Sequence, residues 1–129
     1  MSILQQIKVL IVDDTSTSRM LIRDGLEQLG VRNIIVAADG EQALKMMMST
    51  PAHLVISDYN MPKLDGLQLL QGIRSYKPTA SVPFIMLTGK GDAAVLTRGK
   101  ALGLNNYLTK PIDMNALRKA IEGVLGRLR

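Results

Sequence analysis

The chain has 129 residues, 47% of them hydrophobic, enough to close one core, and no apolar stretch approaches the roughly 20 residues that a membrane span needs. Its formal charge of +5 comes from scattered lysines and arginines, and an aromatic content of 3% leaves little to stack on bases, so nucleic acid is not the expected partner. Cysteine is absent and His53 is the single histidine, which excludes disulfides, thiolate ligands and cysteine nucleophiles, argues against zinc sites and histidine triads, and leaves carboxylates, hydroxyls and lysine to carry any chemistry.

The N-terminal MSILQQIK lacks the charged start, apolar run and small-residue cleavage site of a signal peptide, so a cytoplasmic protein is expected, with no membrane partner. Further along, short apolar runs alternate with longer amphipathic ones. Strands are predicted at Lys8 to Asp13, Ile34 to Ala37, His53 to Asp58, Pro83 to Thr88 and Asn106 to Thr109. The first helix spans Ser16 to Leu29, carries Met20, Leu21, Leu26 and Leu29 at helical spacing, and ends at Gly30 as a left-handed cap. The second starts at Asp39, with Gln42 completing a capping box and Leu44, Met47 and Met48 as its buried stripe. A third runs from Leu67 to Tyr76, before Pro78, and a fourth from Ala93 to Leu102, before Gly103. The last, Met114 to Leu128, follows Pro111 and a capping Asp113, and aligns Leu117, Ile121, Val124, Leu125 and Leu128 on one face. The expected organisation is one domain over residues 1 to 129, with no output domain.

Five strands alternating with five helices predict an α/β, doubly wound (βα)5 sandwich, for whose parallel sheet the flavodoxin-like order 2-1-3-4-5 is one of the two common solutions and the one expected here. In such sheets ligands bind outside the strand carboxyl ends, where Asp13, Asp14 and Asp58 fall. Three carboxylates gathered in one poorly solvated cleft raise one another's pKa unless a cation lies between them. Few hard oxygen ligands suit Mg²⁺, which shares its shell readily with a phosphoryl oxygen.

Around Asp58 the chain reads SDYNMPKLDG. Together with the acidic pair after the first strand, Thr88 ending the fourth, and Lys110 before Pro111 after the fifth, this segment resembles a response-regulator receiver domain, closest to the single-domain CheY-like chemotaxis regulators. The resemblance covers nearly the whole chain. It implies that Asp58 accepts a phosphoryl group from a phosphohistidine on a histidine kinase, that Asp14, Asp58 and the Asn60 backbone carbonyl hold Mg²⁺, and that Asp13 orients the metal or its water. Lys110 would pair with one phosphoryl oxygen and Thr88 would donate its hydroxyl to another, with backbone amides near Asn60 and Gly89 completing the shell. A cis Lys110-Pro111 bond is also implied, as is a Thr88–Tyr107 switch that restructures the face containing Lys90, Leu96, Arg98, Lys100, Tyr107 and Arg118. A monomer is expected, signalling by binding a separate protein, which for a CheY-like regulator is the flagellar motor switch.

Lys90 departs from the acid that stands at this place in the best-known chemotaxis members. The resemblance implies that, with Asn60, it borders the path of the water that hydrolyses the aspartyl phosphate, so both positions are expected to tune phosphoryl lifetime. Asp65 and Gly66 read as turn chemistry and His53 as a structural or surface residue. A haloacid-dehalogenase-type phosphatase would need its acids spaced D-x-D, a flavodoxin would meet its flavin phosphate with Asp13 and Asp14, and no nucleotide-binding G-x-x-x-x-G-K-[ST] loop occurs. The resemblance implies a signalling phosphoacceptor that catalyses only its own phosphotransfer and autodephosphorylation. Motor control competes with a phosphate sink for a shared kinase and with a stand-alone receiver in another phosphorelay.

Overall fold

A computed structural model describes residues 3–89 and 92–125. In chain order the elements are α1 (Ile3–Gln6), β1 (Lys8–Val12), α2 (Ser16–Gln28), β2 (Asn33–Ala37), α3 (Gly40–Ser49), β3 (Leu54–Asp58), α4 (Gly66–Ser75), a 3₁₀ turn (Lys77–Thr79), β4 (Phe84–Thr88), α5 (Ala93–Ala101), β5 (Asn106–Thr109) and α6 (Met114–Leu125). The strands form one parallel sheet of order β2-β1-β3-β4-β5, as expected.

The pleat sorts side chains into two cores. Val9 and Ile11 of β1 join Ile56, Ile85 and Leu87 beneath α2 and α6, where Ile22, Leu26, Leu117 and Ile121 complete the layer. Leu10 and Val12 point the other way, with Val55, Phe84 and Met86, toward Met47 of α3, Leu70 and Ile73 of α4, and Val95 of α5. Helices therefore cover both faces, which is why the three central strands read as unbroken apolar runs. Each fully buried aliphatic side chain contributes roughly 1.5–3 kcal/mol of transfer free energy.

Several details differ from expectation. The short α1 was not anticipated; Ile3 and Leu4 pack against the first core. Met20 and Leu21 are exposed, at 64% and 56%, because α2 turns Ile22, Gly25 and Leu26 to the sheet, and Gly25 lies against Met114 and Leu117 of α6. Met48 is likewise exposed, and Ala43 with Met47 forms the buried stripe of α3. Leu117, Ile121 and Val124 are buried as expected, whereas the side chain of Leu125 and all of Leu128 lie outside the described residues.

Gly30 and Gly103 follow α2 and α5 with φ of +100° and +91°. Asp39 Oδ1 accepts from the Gln42 amide, but the return bond to Gln42 Oε1 comes from Ala38 N, one residue early. Asp65 and Gly66 are not a positive-φ turn. Asp65 caps α4 in a reciprocal box with Gln68, while Lys63 takes the left-handed conformation, at φ 70°. His53 Nδ1 accepts from the Lys8 amide at 2.9 Å, a structural tie between neighbouring strands.

Candidate functional site

β1 and β3 are adjacent and parallel, with Val12 opposite Ser57, so the residues that follow them emerge at one sheet edge. Asp58 ends β3 and is 7% exposed; Asp13 and Asp14 follow β1, the first fully buried and the second exposed. One carboxylate oxygen from each lies within 4.8 Å of the others. The predicted cluster is therefore formed.

Lys110, just after β5, reaches across the same edge. Its Nζ donates to Asp58 Oδ2 at 2.8 Å and lies 3.7 Å from Asp13 Oδ2. Lys110 N donates to Thr88 O at 2.8 Å, fixing the end of β5 to the end of β4, and the Lys110–Pro111 bond is cis. Burial alone would lower the Lys110 pKa; the Asp58 hydrogen bond and the charges of Asp58 and Asp13 outweigh it and hold the ammonium above its ordinary value.

Asp13 is under the opposite stress. Burial pushes its carboxyl above the usual value, against the Thr15 amide and Lys110, which favour the anion, and with help from the charges of Asp58 and Asp14. Its Oδ1 accepts from Thr15 N at 2.9 Å, but Oδ2 is buried with no hydrogen bond. A buried, unsatisfied carboxylate oxygen facing two further carboxylates is the donor set that a hard divalent cation completes, and the site fits Mg²⁺ on that ground.

A raised folded-state pKa means that the fold prefers Asp13 protonated: its contribution is fully favourable below the ordinary carboxylate pKa and is lost as pH rises through the raised one. Asp13→Asn is therefore expected to stabilise the metal-free protein at neutral pH by about 1–2 kcal/mol, the scale of relieving an unsatisfied buried group. Melting curves in EDTA should show the advantage at pH 7 and its shrinkage toward pH 3; an equal or lower melting temperature at pH 7 would contradict it.

Thr88 ends β4, 2% exposed, with its hydroxyl 3.5 Å from the Leu108 carbonyl. Tyr107 pairs with Met86 in the ladder and is 41% exposed, turned outward. Asn60 lies exposed in the loop after Asp58. The Gly89 amide donates to Asp92 Oδ2 at 3.0 Å, and that carboxylate makes no capping bond to α5. Lys90 lies outside the described residues. Arg98 and Lys100 on α5, Tyr107 on β5 and Arg118 on α6 are all exposed, with Leu96 half-buried among them.

Sequence reasoning passed over two contacts here. Arg19 Nη1 donates to the Asp13 carbonyl at 2.7 Å, a bond whose only sequence signal is a basic residue one helical turn inside α2. Gly66 approaches β3 so closely that a Cβ would stand 2.7 Å from Asp58 O. Neither shows in periodicity, because both serve backbone atoms.

Residues 9–122 match the response regulator receiver domain family. The chain is 51% identical over 129 residues to the Rhizobium etli protein named "Probable chemotaxis protein CheY", covering all of both. It is 36% identical over 120 residues to chemotaxis protein CheY1 of Helicobacter pylori, covering 92% of this chain and 97% of that one. Among solved structures, chemotaxis response regulator CheY4 of Vibrio cholerae superposes with a TM-score of 0.81 at 31% identity, covering 95% of this chain and 98% of that one. A response regulator receiver domain protein from Clostridium thermocellum gives 0.84 at 32% identity, over 94% and 95%. With its sheet order, its acidic edge and Lys110 in place, the chain belongs to the response regulator receiver family of two-component systems, among the homologues of the CheY chemotaxis proteins.

Proposed function

We propose that this chain works as a single receiver domain that takes a phosphoryl group from a histidine kinase onto Asp58 and signals through phosphorylation-dependent binding of another protein, the flagellar motor switch. The observation that carries the reading is the convergence of Asp58, Asp13, Asp14 and Lys110 at one sheet edge, with Lys110 Nζ 2.8 Å from Asp58 Oδ2 and Asp13 Oδ2 unsatisfied. An Asp58 oxygen attacks phosphorus, the O–P bond forms, and the bond to the donor's imidazole nitrogen breaks with its electron pair leaving on the imidazole. Both reactants are anionic, so positioned positive charge is the main requirement. Lys110 supplies one charge, already directed at Asp58 from a half-buried position. Mg²⁺ held by Asp14, Asp58 and the Asn60 carbonyl, with Asp13 orienting it, would neutralise charge on the phosphoryl oxygens. Buried Thr88 offers a hydroxyl at the end of the neighbouring strand.

Thr88 and Tyr107 then form the switch, Thr88 turning toward the phosphoryl group and Tyr107 moving from its exposed position, with the exposed cations of α5 and α6 beside it for an acidic partner surface. Chemotactic output is supported by the CheY homologues named above.

Intact-mass spectrometry after incubation with Mg²⁺ and acetyl phosphate tests the chemistry. Wild type is expected to gain one phosphoryl group, and Asp58→Asn or EDTA to abolish the gain; uptake that survives the substitution would remove Asp58 from its role. Pull-down of motor proteins by the phosphorylated form then separates motor control from a phosphate sink, which need bind none.

A further inference from the structure

We infer that Arg19 is a positioning residue for the divalent cation, acting through the peptide that carries Asp14; the inference rests on the metal reading proposed above. Asp14 is exposed, and among the described residues its carboxylate has no hydrogen bond or ion pair to orient it. What sets its direction is its backbone. The Asp13 carbonyl belongs to the planar Asp13–Asp14 peptide, and Arg19 Nη1 holds that oxygen at 2.7 Å. At its other end Asp13 donates its N–H to Ala37 O at 3.2 Å, and Thr15 N holds its Oδ1 at 2.9 Å. Arg19 is itself seated, its N–H on Thr15 O, in a helix anchored by buried Ile22 and Leu26. Without the guanidinium, the plane between the two acids loses the bond that fixes its rotation.

Mg²⁺ demands near-ideal octahedral geometry, so a carboxylate that wanders is a poorer ligand. Charge acts in the other direction: a guanidinium bonded to the Asp13 carbonyl repels a dication held by the neighbouring carboxylates, and its removal alone would tighten binding. The two roles therefore predict opposite signs.

Mg²⁺ titration by calorimetry, on wild type, Arg19→Met and Arg19→Lys, decides between them. Arg19→Met is expected to weaken Mg²⁺ at least fivefold, and Arg19→Lys, which keeps the charge and a donor, to recover part of the loss. Melting temperatures in EDTA separate this effect from a general loss of structure, and Arg19→Lys keeps the comparison readable if the apolar variant folds poorly. Unchanged or tighter Mg²⁺ binding in Arg19→Met overturns the positioning role alone. Absence of Mg²⁺ binding in wild type overturns the metal reading and this inference with it.

Discussion

Lys110→Met is expected to slow phosphoryl uptake from acetyl phosphate by roughly 100-fold or more, the usual loss when one preorganised charge is removed from a phosphoryl or oxyanion site. The ammonium is held by two carboxylates, 2.8 Å from Asp58 and 3.7 Å from Asp13, and is only 29% exposed, so little solvent is available to replace it. Methionine preserves the apolar stem and volume while deleting the charge. It leaves Asp58 and Asp13 facing one another without a cation, so the metal-free fold should also weaken, by less than the ~3–5 kcal/mol of a fully buried pair because Lys110 retains some solvent contact. Mg²⁺ should bind as tightly as in wild type or tighter, since a competing cation has gone. Slow uptake with intact metal binding is thus the signature, read from the mass time course and a Mg²⁺ titration. Uptake within threefold of wild type would show that Lys110 does not act on the phosphoryl group.

Gly66→Ala should be the most damaging conservative change near the site. A Cβ at this position would stand 2.7 Å from Asp58 O and 2.9 Å from Tyr59 Cα, both backbone atoms that cannot rotate away. At the first residue of α4 alanine gains less than the roughly 1 kcal/mol it has over glycine in a helix interior, whereas forced overpacking costs about 1–3 kcal/mol and more where backbone must shift. The clash wins, and a fall of about 10 °C in melting temperature is expected, accompanied by slower phosphoryl uptake because the displaced atom is the carbonyl of Asp58 itself. Gly72→Ala is the control: its contacts, at 3.0 Å and beyond, are to the side chain of half-buried Leu44, which can move, and its melting temperature should stay within a few degrees. Equal losses in the two variants would refute the steric account.

Strand positions and the acidic edge were legible because a strand buried on both faces must read as an apolar run, and a run that ends in Asp58 or leads into Asp13 announces its carboxyl end. Alternation of elements narrowed the sheet to two common orders, and the observed 2-1-3-4-5 is the expected one of them. Helix rotation was less legible. Met20, Leu21 and Ile22 are consecutive apolar residues, so periodicity alone did not choose which faces the sheet; contact with α6 through Gly25 did. Backbone acceptors were invisible for a related reason. The Asp13 carbonyl taken by Arg19 and the Gly89 amide taken by Asp92 carry no residue code, and only the folded chain brings their partners to them.

The bond from Lys110 N to Thr88 O extends the β4–β5 ladder to the rim of the sheet. Lys110 and Thr88 consequently share a stiff bracket, and in the proposed phosphotransfer neither would approach the phosphoryl group by sliding its strand. For Thr88 the remaining freedom is torsional: rotation about χ1 carries its hydroxyl away from the Leu108 carbonyl while the backbone stays in register. In the switch proposed above, Thr88 would therefore turn within a fixed backbone, and the larger rearrangement would fall to the surface around exposed Tyr107, with the sheet as its frame.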